Sequence, residues 1–228
     1  MGRRLDETLA NAGIGSRADV RKKILSGRVC VNGIPVRKPA ARVESGDVLT
    51  LDGEEVPAER YVYLAMNKPV GYVSSTVGAD SLLVLVPERY RRRDLACAGR
   101  LDKDTSGLIL LTNDGAFAHR VISPRRHVEK TYVAVLEREI TDSDRDRFAA
   151  GMTLRDGLRT MPAKLERTDL PDTVRVTICE GKYHEVRRMF AATGNFVKEL
   201  KRIAVGSVVL DIAEGEVRCL TEQEIRAF

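Results

Sequence analysis

Apolar positions in the first part of the chain recur at helical spacing. In RRLDETLANAG, Leu5, Leu9 and Ala12 share one face and Gly13 offers a terminal cap. In SRADVRKKILSG, Ser16 is placed to cap a second helix with Asp19 three residues on; Val20 and Ile24 face inward and Gly27 stops it. The period then changes to two. RVCVNGIPV flanks Asn32-Gly33 with β-branched residues, the pattern of a two-residue hairpin.

An acidic, turn-rich stretch, VESGDVLTLDGEEVPAE, closes this first block, and the pattern turns strand-rich around Pro57 to Arg60. The expected domains are therefore 1–59 and 60–228. In the second, YVYLAMNKPVGYVSS reads as two strands broken at Lys68-Pro69, LILLT as a buried strand, and KTYVAVLE and TVRVTICE as further strands. DGAFAHRVIS predicts a short helix opened by Asn113-Asp114. HEVRRMFAATG predicts another, with Val186, Met189 and Phe190 on its core side and Gly194 at its end. Strands and helices mix without strict βαβ alternation, which favours an α+β fold with a mainly antiparallel sheet.

Composition adds bounds. At 228 residues and 43% hydrophobic content the chain has enough apolar mass for packed cores. Its longest apolar runs are far below the roughly 20 residues that cross a bilayer, and MGRRLDETLA lacks the apolar segment of a secretory signal, so a cytoplasmic protein off the membrane is expected. Cys30, Cys97, Cys179 and Cys219 are widely spaced and read as small buried hydrophobes. With His119, His127 and His184 unclustered, no metal is expected.

The net charge of +5 suggests a polyanionic partner, and its distribution says more. Residues 3–42 hold ten Lys or Arg against three Asp or Glu, whereas residues 43–60 hold one against six. Arg17, Arg21, Lys22, Lys23 and Arg28 gather on the second helix and the start of the hairpin. They form either a solvated helix face or a surface for phosphates.

The densest chemistry lies in GRLDKDTSGLILLTNDG, residues 99–115. Arg100, Asp102, Lys103 and Asp104 stand between Gly99 and Gly107, immediately before a run of aliphatic residues. Such a segment is either a solvated turn or a loop held rigidly by the buried strand behind it, where catalytic groups are often mounted. By chemistry alone Asp102 and Asp104 compete as the reactive carboxylate.

Two resemblances extend this reading. Residues 3–50, through RLDETLANAGIGSRADVRKKILSGRVCVNG, resemble the αL RNA-binding module of a small-subunit ribosomal protein and of RNA-modifying enzymes. GRLDKDTSGLILLTNDG resembles the catalytic motif of the pseudouridine synthases. NKPVGYVSS, SPRRHVEKTYVAVLE, EGKYHEVRRMFAATGN and VKELKRIAVG resemble the further motifs of their RsuA-type branch, which modifies bacterial ribosomal RNA.

The resemblance implies a catalytic domain that converts a uridine to pseudouridine without a cofactor. Asp102 would be the nucleophile. Arg187 would face its carboxylate and keep it ionised, as an always-charged guanidinium can. Tyr132 would stack on the base or relay its proton, besides packing in the sheet. Arg100 would fill the space left by a flipped base. Lys68, Arg125, Arg126, Lys130, Lys182 and Arg188 would add phosphate contacts. The implied substrate is ribosomal RNA or a ribosomal subunit assembly intermediate, 16S rather than 23S, met by a monomer; a non-catalytic RNA-binding or assembly factor is the alternative. Glu185 departs from the glutamine more usual in the family.

Overall fold

Leu5, Leu9, Ala12, Val20 and Ile24 are buried together, as their helical spacing requires. They belong to the first of two units into which the computed structural model divides the chain: Met1–Val62 with Glu88–Leu95, and Tyr63–Pro87 with Ala96–Phe228. The structure describes residues 2–44, 46–56, 61–75, 78–91 and 95–228. The expected boundary between residues 59 and 60 falls outside them.

In the first unit β1 (Arg3–Arg4) leads into α1 (Leu5–Asn11) and α2 (Arg17–Leu25). The Ser16 hydroxyl caps α2 by accepting the Asp19 amide at 3.2 Å. β2 (Val29–Val31) and β3 (Ile34–Pro35) pair across Asn32 and Gly33, whose φ angles of 51° and 78° are both left-handed, as the two-residue turn requires. β4 (Arg42–Val43) pairs with β1, and β5 (Leu49–Leu51) and β6 (Glu54–Val56) complete an antiparallel sheet ordered β3-β2-β5-β6. The helices bury their apolar faces with Val29, Val43, Leu49 and Val56. The helix α3 (Glu88–Arg91) also belongs to this unit.

The second unit is built on β7 (Tyr63–Lys68), β8 (Ala96–Ala98), β9 (Ser106–Thr112), β10 (Lys130–Leu136), β11 (Lys164–Arg167), β12 (Thr173–Ile178), β13 (Val197–Val205), β14 (Val208–Val209) and β15 (Val217–Cys219). Its sheet runs β11-β12-β10-β13-β9-β7-β15, with β14 on β13 and β8 on β9. Among the described residues every strand pair is antiparallel except β9 with β13. The expected α+β architecture with a mainly antiparallel sheet is the one observed. The helices α4 (Gly115–Ile122), α5 (Asp142–Ala150), α6 (Glu185–Ala192) and α7 (Glu222–Arg226) complete the unit. Asp114 opens α4 by accepting the amides of Ala116 and Phe117, and Gly194, at φ 74°, follows α6.

β9 is buried on both faces from Gly107 onward, which is why its sequence is an unbroken apolar run. β10 alternates instead, burying Lys130, Tyr132, Ala134 and Leu136.

Two local expectations fail. GYVSS forms no strand: Val73 makes only an isolated bridge to Ser81, and β7 ends at Lys68 because Pro69 has no amide to continue the ladder. The cysteines are not buried small hydrophobes; Cys30 and Cys97 are half-buried and Cys219 exposed because their strands do not turn these positions fully into a core, and Cys179, half-buried, lies in the bend just after β12.

Candidate active site

The loop between β8 and β9 is fixed by its own backbone. The Ser74 hydroxyl accepts the Leu101 amide at 2.9 Å and donates to the Leu101 carbonyl at 2.8 Å, while the Thr105 amide closes a turn on the Asp102 carbonyl at 3.1 Å. Gly71 donates to Lys103 O at 2.8 Å. At the start of β9 the parallel pairing sets Gly107 against Arg202. Gly107 has φ 105°, and a Cβ there would lie 2.2 Å from the Arg202 carbonyl, so only glycine permits this approach. The aspartate loop and β13 are joined at that point.

Beside the loop is a cavity of about 600 Å³ lined by, among others, Asp102, Tyr132, His184, Arg187 and Arg202. β8, β10, β13 and the start of α6 all reach it. Tyr132, 7% exposed, is brought there by the inward alternation of β10. Its hydroxyl accepts from Arg202 Nη1 at 3.4 Å, and the Arg202 guanidinium carbon lies 5.9 Å from its ring centroid.

Arg202 carries no role in the sequence reading, yet it is fully buried in this lining. Its Nε donates to Leu108 O at 2.7 Å and its Nη1 to Arg100 O at 3.3 Å, leaving Nη2 without a partner. A signal was present in VKELKRIAV: Arg202 stands two residues after Leu200, so strand alternation turns both the same way.

The expected pairing of Arg187 with Asp102 is not what the structure contains. Arg187 Nη2 meets Asp104 Oδ2 at 2.9 Å, and its Nη1 donates to Val197 O at 3.0 Å. The turn closed by Thr105 sends consecutive carboxylates different ways. Among the described residues, the basic side chain nearest Asp102 is His184, with Nε2 3.4 Å from Oδ1. Asp102 and Arg187 nonetheless line the same cavity.

The remaining cations divide. Lys68 is fully buried and so is removed from the phosphate contacts: its ammonium donates to Pro69 O and Tyr72 O at 2.9 and 2.8 Å. Burial pushes its pKa down to about 8, against the upward pull of Asp104 and Asp102. Lys130 is also buried, donating to Val128 O at 2.9 Å, with its pKa lowered by burial. Lys182 is paired with Glu180 and Arg188 with Asp156. Arg100, Arg125 and Arg126 are exposed, with no ion-pair partner among the described residues. On the first unit Arg17, Arg21, Lys22 and Arg28 are exposed and Lys23 is half-buried. Arg21 leans on buried Asp6 at 3.2 Å and Arg28 on Asp52 at 2.8 Å, while Lys23 donates to Ile14 O at 2.8 Å.

Glu185, 3% exposed, accepts the Lys182 amide at 2.8 Å. Burial, together with a hydrogen bond to Glu180, raises its pKa to about 8. Glu180 moves the opposite way: burial would raise it, but hydrogen bonds with Glu185, Lys182 and the Met161 amide outweigh that. Of the two carboxyl groups, buried Glu185 is the one disposed to take up a proton. A protonated carboxyl can donate a hydrogen bond as an amide does.

No metal-binding group of three His, Cys, Asp or Glu occurs among the described residues, and no described helix is long and apolar enough to cross a membrane.

A cavity that gathers a carboxylate, a tyrosine and two arginines on a mainly antiparallel sheet fits an enzyme acting on a polar, aromatic group. The RNA pseudouridylate synthase family model matches residues 62–192 and the S4 domain model residues 3–49; the chain belongs to the RNA pseudouridylate synthase family and carries an S4 domain. It is 43% identical to the ribosomal small subunit pseudouridine synthase A of Escherichia coli (strain K12), over 97% of this chain and 98% of that protein. It is equally similar, at 43%, to the "Uncharacterized RNA pseudouridine synthase YtzG" of Bacillus subtilis (strain 168), over 97% and 96% of the two chains. A crystal structure of a pseudouridylate synthase, 39% identical, superposes with a TM-score of 0.70 over 98% of both chains.

Proposed function

We propose that this enzyme converts one uridine of 16S ribosomal RNA to pseudouridine, acting as a cytoplasmic monomer on the small subunit or its assembly intermediate. The target follows from full-length similarity to a ribosomal small subunit pseudouridine synthase A. The chemistry is carried by one observation: Asp102, from the loop between β8 and β9, and Tyr132, from β10, line a single cavity together with Arg187 and Arg202.

In the reaction the bond from ribose C1′ to uracil N1 breaks and a bond from C1′ to C5 forms. The C5 proton leaves and N1 gains one, so no redox partner is required. Asp102 is the nucleophile, one-third exposed and therefore reachable from the cavity. Arg187 acts on it through the loop, holding Asp104 and, through Nη2, the Asp104 carbonyl at 3.3 Å. Tyr132 stacks against the base and relays the C5 proton, its hydroxyl oriented by Arg202. Drawing a stacked uridine into the cavity costs a few kcal/mol, which phosphate contacts by Arg125, Arg126 and the S4 domain would offset while Arg100 fills the space the base leaves.

Release of tritium from C5-labelled uridine in ribosomal RNA tests this reading. Wild type should release label from 16S RNA, and Asp102→Asn should be slower by at least about a thousandfold. Equal rates would remove Asp102 from the mechanism. Absence of release from every ribosomal RNA or assembly intermediate would favour a binding factor, and product mapped only to 23S RNA would overturn the 16S assignment.

A further inference from the structure

Tyr183 is the most exposed large hydrophobic side chain among the described residues, at 75%, and it stands at the cavity rather than on an outlying loop. Its ring lies on the imidazole of His184, with centroids 3.8 Å apart and planes within 19° of parallel. Consecutive side chains in a strand point opposite ways. Here they lie face to face where His184 adopts φ 49°, a left-handed conformation unfavourable for an L-residue. The His184 side chain makes no hydrogen bond that caps α6, so helix capping does not account for that geometry.

The segment carrying the rings is held on several sides. The Glu185 amide donates to Lys182 O at 3.2 Å and the Glu185 carboxyl accepts the Lys182 amide at 2.8 Å. Arg188 Nη1 reaches the Tyr183 carbonyl at 3.3 Å. The backbone is fixed and the outer ring is left open, so an aromatic face is presented with little ordering left to do on binding. The inner ring of the stack touches the reaction centre, through His184 Nε2 at 3.4 Å from Asp102 Oδ1.

We propose that the stacked Tyr183–His184 pair is a platform for the base of an unpaired nucleotide next to the target uridine, which continues the stack on the open face of Tyr183. A base offers a flat π-face whatever its identity, and stacking on an aromatic side chain is how proteins hold single-stranded RNA without reading its sequence. When the target uridine leaves its stack for the cavity, its neighbour loses a stacking partner. The Tyr183 ring supplies a replacement at the mouth. The inference rests on the reading of this cavity as a uridine site and adds a second nucleotide subsite to it.

Two measurements test the platform. In steady-state tritium release from 16S RNA, Tyr183→Ala should raise KM by about tenfold to a hundredfold, the equivalent of one lost base stack, with a smaller change in kcat, while Tyr183→Trp stays near wild type. The chain contains no tryptophan, so Tyr183→Trp also places a single indole at the platform. Its fluorescence should be quenched by a single-stranded RNA oligonucleotide. An indole at exposed Leu170, outside the cavity lining, should not respond. A KM for Tyr183→Ala within twofold of wild type, or an unquenched Tyr183→Trp under conditions where anisotropy shows the RNA bound, overturns the platform. A wild-type enzyme inactive on every ribosomal RNA would instead overturn the uridine site, while the fluorescence measurement would still report on stacking.

Discussion

The cations of the first unit mostly face water, whereas several of those in the second are taken up by the protein itself. Arg17, Arg21, Lys22 and Arg28 are exposed on and beside α2. In the second unit Lys68 and Arg202 are fully buried and anchored on main-chain carbonyls. Lysine and arginine therefore do two different jobs in one chain. On the S4 domain these side chains stay exposed, although Arg17, Arg21 and Arg28 each stand beside a carboxylate, of Glu7, Asp6 and Asp52 respectively. Around the cavity lysine and arginine tie loops and strands together, while Arg100 is left exposed.

The comparison breaks first at the seam between β9 and β13. Gly107→Ala should destabilise the second unit by about 4 kcal/mol or more, because the new Cβ meets the Arg202 backbone and φ is left-handed; denaturant unfolding measures this. Arg202→Met should cost about 2–4 kcal/mol by the same assay, since the carbonyls of Leu108 and Arg100 lose their donor. It should also slow tritium release, because the Tyr132 hydroxyl loses its contact. An Arg202→Met protein as stable and as active as wild type would mean that this guanidinium is not structural.

A smaller effect concerns the Glu185 carboxyl. The raised pKa of Glu185 means that the folded protein binds a proton the unfolded chain has released, between the ordinary value of 4.5 and about 8. Its contribution is fully present below the lower limit and is lost as pH rises through the upper one. Unfolding free energy should therefore decline across that window, and Glu185→Gln, which cannot titrate, should flatten the decline. The smallest change is in salt dependence. Lys22→Ala should reduce the slope of log affinity for RNA against log salt by roughly one if Lys22 meets a phosphate, whereas Lys68→Met should leave the slope unchanged.

Much of this organisation was legible in the chain. Ser16 and Asn32-Gly33 announce local geometry through interactions within a few residues, and β9 announces itself because burial on both faces leaves no polar positions. The site was legible to the extent that Asp102, Tyr132 and Arg187 do converge on one cavity. The partner of Arg187 was not, since Asp102 and Asp104 differ only in which way a turn sends them. Lys68 reads as a surface lysine because the carbonyls that receive its ammonium become neighbours only once the chain bends after Pro69. Tyr183 was missed for the opposite reason: nothing in KYHEV says that its ring stays outside and lies on the next one.

The meeting of Gly107 with Arg202 bears on how the enzyme comes into being. Arg202 Nε and the Leu108 carbonyl it holds are separated by 94 residues. A nascent chain can build the strand behind the aspartate early, by pairing β9 with β7 and β8, but the pocket has no far wall until translation has passed β13. A truncated product ending before that strand would carry Asp102 and Tyr132 without the wall that encloses them, so the cavity is complete only once β13 has been made.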